Sequence, residues 1–152
     1  MRVFKNILVT GGSGFIGANF IKTLLKNSYQ TNIQRIINLD ALTYAGNRDN
    51  NRSYEDNDKY IFIEGDISSR RLVDEILKKY KVDLIINFAA ESHVDNSISG
   101  PKKFIETNVN GTLNLLMSFH NFAKQHSFKE RAFLHVSTDE VFGSLNFDDE
   151  KF

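Results

Sequence analysis

The chain has 152 residues, 41% hydrophobic and 25% charged, with no cysteine and a formal net charge of zero. That length suits one domain able to bury roughly two-thirds of its unfolded surface. The composition excludes disulfides and cysteine metal centres, offers no apolar run of about 20 residues to span a membrane, and lacks the basic excess of a nucleic-acid binder.

In chain order, the first apolar stretch is too short for a secretory signal and has no small-residue cleavage site, so a cytoplasmic protein is expected. Residues 6–10, NILVT, form a short apolar run that stops at glycines and predict a buried strand. Residues 15–26 carry Phe15, Ile16, Phe20, Ile21, Leu24 and Leu25 at helical spacing. A second strand is predicted over 35–40. Residues 41–59 are rich in Asn, Asp, Arg and Tyr with little periodicity and predict a long loop, functional or mobile. A third strand follows over 60–63, then a helix over 68–80 with Leu72, Val73, Ile76 and Leu77 facing inward. The nearly all-apolar run 82–88 predicts a strand covered on both faces. Pro101, the only proline, suits the first turn of a helix continuing to about residue 125. Residues 132–136 predict a fifth, buried strand. This alternation predicts an α/β fold: a Rossmann-type, doubly wound parallel sheet with helices on both faces. Ligands of such folds bind beyond the strand C-termini, where strand order reverses.

The polar motifs all follow strands. After the first comes Thr10-Gly11-Gly12-Ser13-Gly14-Phe15-Ile16-Gly17. Gly12, Gly14 and Gly17 fit G-x-G-x-x-G, and Gly11, Gly14 and Gly17 fit a wider G-x-x-G-x-x-G. Between a strand and an amphipathic helix, such glycines let a pyrophosphate approach the backbone and the free N–H groups of a helix start. The alternative is a plain tight turn. Asp40 closes the second strand, roughly 20 residues on, where a carboxylate accepts ribose hydroxyls and repels a 2′-phosphate; this favours NAD over NADP. Its alternative is an ordinary strand-end turn, and the same choice holds for Asp66 in Gly65-Asp66-Ile67, a candidate for the adenine end.

The fourth strand exits into Asn87-Phe88-Ala89-Ala90-Glu91-Ser92-His93. Ala89 and Ala90 leave room for a flat ligand, and Ser92 and His93 follow them. None of the four histidines sits at metal-ligand spacing, so no metal is expected. After the fifth strand, Thr138, Asp139 and Glu140 either cap a short helix or act chemically. Two neighbouring carboxylates in a partly desolvated site are pushed apart in pKa, one serving as acid and the other as base.

GGSGFIG, LDALTYAGN, GDI, FAAESHVD, FIETNVNGT and VSTDEVFG, in that order, resemble the extended short-chain dehydrogenase/reductase superfamily, and within it the dTDP-glucose 4,6-dehydratase family. The resemblance covers essentially the whole chain, and AAESHVD combined with S-T-D-E is its selective part. It implies NAD as cofactor. Gly11, Gly14, Phe15, Ile16 and Gly17 would hold the pyrophosphate. Asp40, Leu42 and Thr43 would hold the adenosine ribose, and Asp66 and Ile67 the adenine. Ala89, Ala90 and Thr107 would line the remaining length. Ser92, His93 and Thr138 would meet the sugar of a nucleotide-linked substrate, dTDP-glucose. Asp139 would be the acid and Glu140 the base of a dehydration. A homodimer of the full-length enzyme is implied through helices that include the one from Pro101, with Phe104, Met117 and Phe122 at the interface or in the core.

Two features depart from the family pattern. Asn96 stands where Arg is usual. No tyrosine is followed four places on by lysine: Tyr29, Tyr44, Tyr54, Tyr60 and Tyr80 precede Ile33, Arg48, Asp58, Glu64 and Leu84. The family's Tyr-x-x-x-Lys pair is therefore absent. The expectation is a truncated NAD-binding domain over 1–152, with further strands and a substrate domain outside this chain, and no turnover by the chain alone. Another sugar-nucleotide dehydratase, a 4-epimerase, or a non-catalytic NAD-binding module are the alternatives.

Overall fold

The computed structural model describes residues 3–27 and 32–143, apart from the side chains of Val94 and Phe128; Tyr29 lies outside them. Five parallel strands form one sheet in the order β3-β2-β1-β4-β5. They are β1 (Asn6–Thr10), β2 (Arg35–Asp40), β3 (Tyr60–Glu64), β4 (Leu84–Asn87) and β5 (Ala132–His135).

Alternation along the central strands builds two cores. Leu8, Ile37, Leu39 and Ile85 face one side, against Val73, Ile76 and Leu77 of α2 (Arg70–Tyr80). Ile7, Val9, Ile36 and Ile86 face the other, against Ile21 and Leu25 of α1 (Phe15–Lys26). Both faces of β1 are therefore dry, which is why all five of its residues are buried. On α2, the inward residues recur at i, i+3 and i+4, while Arg70–Asp74 and Arg71–Glu75 pair across the outer face. Lys81 ends the helix in a left-handed conformation at φ 51°.

After β4 the chain forms α3 (Val94–Ser99), then a long helix in three parts. It begins with α4 (Pro101–Phe104), Pro101 in the first turn as expected. It continues through a π-helical stretch (Ile105–Gly111) into α5 (Thr112–His126). The junctions keep helical angles near −63° and −44°. Leu115, Ser118, Phe122 and Ala123 are buried on the α2 side. Gly111 lets this helix press on the turn after β3, since a Cβ there would lie 2.7 Å from Ile67 Cγ1. Asn114 Nδ2 donates to the Ile67 carbonyl at 2.6 Å, which fixes that turn.

Two expectations are corrected. Residues 41–59 are not simply a loop: they contain 3₁₀ turns over Arg48–Tyr54, capped by the Asn47 side chain accepting from Asp49 N–H. β5 is not buried. It lies at the sheet edge with Leu134 53% exposed, because among the described residues nothing packs on that part of it. On the long helix, Ile105, Val109, Leu113 and Leu116 form an exposed stripe, because one side alone of this helix faces α2.

Candidate functional site

β1 and β4 are neighbours in the sheet, yet the chain leaves β1 toward β2 and leaves β4 toward β5. Above this point of divergence lies a cavity of about 1040 Å³. Gly11, Gly14, Phe15, Ile16 and Gly17 line it, but Gly12 does not. Of the two glycine patterns, the wider one faces the cavity. Gly11 sits at φ +68°, and a Cβ there would come within 2.6 Å of Ala89 N. A Cβ on Gly17 would collide with the Gly11 carbonyl oxygen, so α1 can start this close to β1 only with glycine. A Cβ on Gly12 would strike the Asn38 amide. Gly14 differs: its nearest neighbour would be 3.4 Å away, so it opens onto the cavity. The first amides of α1 have no carbonyl one turn earlier to receive them, and this is the cradle an anionic group requires.

Asp40 is buried and works on the same turn. Its Oδ2 accepts from Ser13 N–H and its Oδ1 from Leu42 N–H, both at 2.8 Å. The second bond holds Leu42 at φ 49°, a conformation that costs a non-glycine residue about 1 kcal/mol or more. Each carboxylate oxygen retains a second lone pair for a ligand hydroxyl. Asp40 and Thr43 line the cavity, while Leu42 is not on its wall. The segment after β2 is anchored to the glycine turn by Asn47 N–H and Asn50 Nδ2 donating to Ser13 O, and by Asn51 Nδ2 donating to Gly12 O. Asp66 and Ile67 line the same cavity, and Asp66 Oδ1 accepts from Ser68 N–H at 2.7 Å.

From the β4 side come Ala89, Ala90 and Ser92, and from the long helix comes Thr107; His93 is not on the wall. Past β5, Thr138 and Glu140 reach the cavity and Asp139 does not. Thr138 precedes a 3₁₀ turn (Asp139–Phe142) without a capping side-chain bond, which removes the capping explanation for its hydroxyl. All three residues are exposed, so the partly desolvated setting expected for the two carboxylates is not formed by the described residues. The cause is again β5 at an edge.

A family model described as GDP-mannose 4,6 dehydratase matches residues 8–151. The chain belongs to that family. A dTDP-glucose 4,6-dehydratase from Xanthomonas campestris is 50% identical over 141 residues, 91% of this chain and 39% of the relative. A crystal structure of the dTDP-glucose 4,6-dehydratase of Streptomyces venezuelae, with NAD bound, aligns at TM-score 0.82 and 44% identity, covering 93% of this chain and 42% of the other. The Bacillus anthracis enzyme in complex with NAD aligns at TM-score 0.77 and 43% identity, covering 97% and 42%. The chain thus spans about two-fifths of the length of the relatives it matches. No helix among the described residues is long and apolar enough to cross a membrane.

Several residues on or behind the wall escaped the sequence reading. Glu91 is 5% exposed, with its carboxylate 3.0 Å from Lys103 Nζ; both line the cavity. Asn108 clasps the Glu91 backbone, its Oδ1 accepting from Glu91 N–H at 2.8 Å and its Nδ2 donating to Glu91 O at 2.9 Å. Behind the floor, Thr10 Oγ1 donates to Asn87 Oδ1, and Asn87 Nδ2 meets His135 Nδ1 at 3.0 Å. His135 and Glu106 are also on the wall. A polar residue inside an apolar strand, as at Asn87, was the available signal; the Glu91–Lys103 pairing had none, because 12 positions of chain separate them.

Proposed function

We propose that this chain is the NAD-binding domain of a sugar-nucleotide 4,6-dehydratase that acts on dTDP-glucose, giving the 4-keto-6-deoxy sugar. The observation that carries this is the single cavity wall shared by Gly11, Gly14, Gly17 and Asp40 at one end and by Thr138 and Glu140 at the other. NAD fits the residues present: Gly14 leaves its space open, the α1 start offers unpartnered amides, and Asp40 keeps lone pairs toward a ribose while opposing a 2′-phosphate. A volume near 1000 Å³ is at the upper end for a small-molecule site, as a dinucleotide needs. Bound there, the cofactor would supply a reversible hydride acceptor.

The chain's own residues divide the remaining work. Gly11 to Gly17 receive the pyrophosphate, with Phe15 and Ile16 over it. Asp40, Leu42 and Thr43 place the ribose, Leu42 through its backbone. Asp66 and Ile67 bound the adenine, and Ala89, Ala90 and Thr107 the length between. Ser92 borders the sugar, with His93 next to it, set back from the wall. The Thr138 hydroxyl orients the sugar C4 oxygen. Glu140 takes the C5 proton; Asp139, beside it in the same 3₁₀ turn but off the cavity wall, must turn inward to give a proton to the departing C6 hydroxyl. Such assistance is typically worth about 10²- to 10⁴-fold per group. No Tyr-x-x-x-Lys pair lies in this chain, so the deprotonation of the C4 hydroxyl needs groups from elsewhere in a longer enzyme. A cytoplasmic homodimer is part of this proposal.

Calorimetric titration of the purified chain with NAD⁺ and NADP⁺ tests the cofactor: NAD⁺ binds at least tenfold more tightly if Asp40 acts as argued. Incubation of the full-length enzyme with dTDP-glucose, UDP-glucose and GDP-mannose tests the substrate. A 4-keto-6-deoxy product from dTDP-glucose is expected. NAD⁺ binding without product from any of them would point to a non-catalytic binding module.

A further inference from the structure

Tyr44, in the middle of LTYAGN, has no part in the chemistry above. It follows β2 between Thr43 and Ala45, both on the cavity wall. It is 50% exposed, so burial of its ring does not explain it. Its hydroxyl oxygen instead meets the β4 exit. His93 N–H donates to it at 2.9 Å and Ser92 N–H at 3.2 Å, and Ser92 Oγ lies 3.4 Å away. The rings of Tyr44 and His93 stand edge to face, 6.1 Å apart at 84°. A phenol oxygen has two acceptor sites, and two backbone amides occupy them. The hydrogen bond with the Ser92 hydroxyl is the first cause of a lowered Tyr44 pKa; burial opposes it, and the two amides add to the lowering.

The direction of this contact matters. β1 lies between β2 and β4 in the sheet. A bond from the β2 exit to the β4 exit therefore crosses above the end of β1, where Gly11 begins the glycine turn. The short β4 exit is then held from both sides. Asn108 of the long helix clasps Glu91, and Tyr44 clasps the next two residues.

We propose that Tyr44 is a positioning residue, strapping the β2 exit to the β4 exit across the mouth of the cavity so that Ser92 is fixed and a bound dinucleotide leaves slowly. This rests on the NAD assignment above. The strap has one weak point: it depends on a single oxygen. Tyr44→Phe keeps the ring and its contact with His93 and deletes only the acceptor.

The test is stopped-flow release of NADH from the wild-type chain and from Tyr44→Phe, followed by its fluorescence, with melting curves of both apo proteins. Release about tenfold faster, roughly what losing two ordinary hydrogen bonds permits, with an apo melting temperature close to wild type, is the expected result. Amide exchange at Ser92 and His93 rises while that at Glu91 stays slow. A role in folding alone would lower the melting temperature and leave release unchanged, and that result overturns the proposal. If the wild type binds no dinucleotide, the NAD assignment falls and the strap with it; if the wild type binds and Tyr44→Phe releases at the same rate, the strap alone falls. Should Tyr44→Phe not fold, exchange in the wild type decides: protection at Ser92 and His93 that grows on adding NAD⁺ supports the strap, and exchange at unprotected rates overturns it.

Discussion

Gly14 and Gly17 are the same residue type three positions apart, yet they do different things. Gly17→Ala places a methyl group against the Gly11 carbonyl, and overpacking of this kind costs about 1–3 kcal/mol. A melting curve should show that loss. Gly14→Ala meets nothing closer than 3.4 Å, so it should melt near wild type and lose NAD⁺ affinity in a titration, because the methyl group occupies ligand space. Asp40 does two jobs at once. Asp40→Ala should lower stability by about 1–3 kcal/mol, since it strands the Ser13 and Leu42 amides, and should also erase the preference for NAD⁺ over NADP⁺. Tyr60 yields a pH prediction. Burial is the first cause of its raised pKa, opposed by the hydrogen bond from Asn38. A raised folded-state pKa means the folded form holds its proton more tightly. The stabilisation is thus full below the ordinary tyrosine pKa of 10.0 and is lost as pH rises through the higher folded value. Urea melts between pH 9 and pH 11 should show a steeper alkaline decline for wild type than for Tyr60→Phe. The glycines and Asp40 were legible in the sequence as a motif. Which glycine faces a ligand was not, because that depends on where Ala89 and Asn38 arrive from other strands.

Among the elements, the long helix separates pattern from context most clearly. Its start at Pro101 and its length follow from the sequence alone. Its apolar residues, however, outnumber those that one buried face can use. Phe122 belongs to the core at 5% exposed, whereas Met117 faces outward. Phe122→Ala should therefore cost about 3–5 kcal/mol in chemical denaturation, and Met117→Ala very little. β5 shows the same dependence. Its apolar composition reads as a buried strand, and only its place at the sheet edge exposes Leu134. The segment after β2 reads as a loop because its 3₁₀ turns are held by Asn47, Asn50 and Asn51, polar contacts that leave no hydrophobic period.

At the scale of the whole molecule, the exposed stripe of Ile105, Val109, Leu113 and Leu116 is a continuous apolar surface of the kind proteins cover with a partner. If the proposed homodimer uses it, sedimentation equilibrium of the full-length enzyme should give a dimer, and Leu113→Glu with Leu116→Glu should give a monomer. The sequence by itself determined the alternation of strands and helices, the two-faced burial of the central strands and the motifs at strand ends. These are local: residue spacing sets which side of a strand or helix is apolar, and glycine and proline fix backbone angles wherever they stand. The tertiary structure alone decided that β1 and β4 adjoin, so that the glycine turn and the Thr138 segment share one cavity. It also brought Tyr44 to Ser92, 48 residues away, and Lys103 to Glu91. Such contacts depend on strand order, and strand order is chosen by how all the apolar faces are buried together rather than by any single stretch of chain.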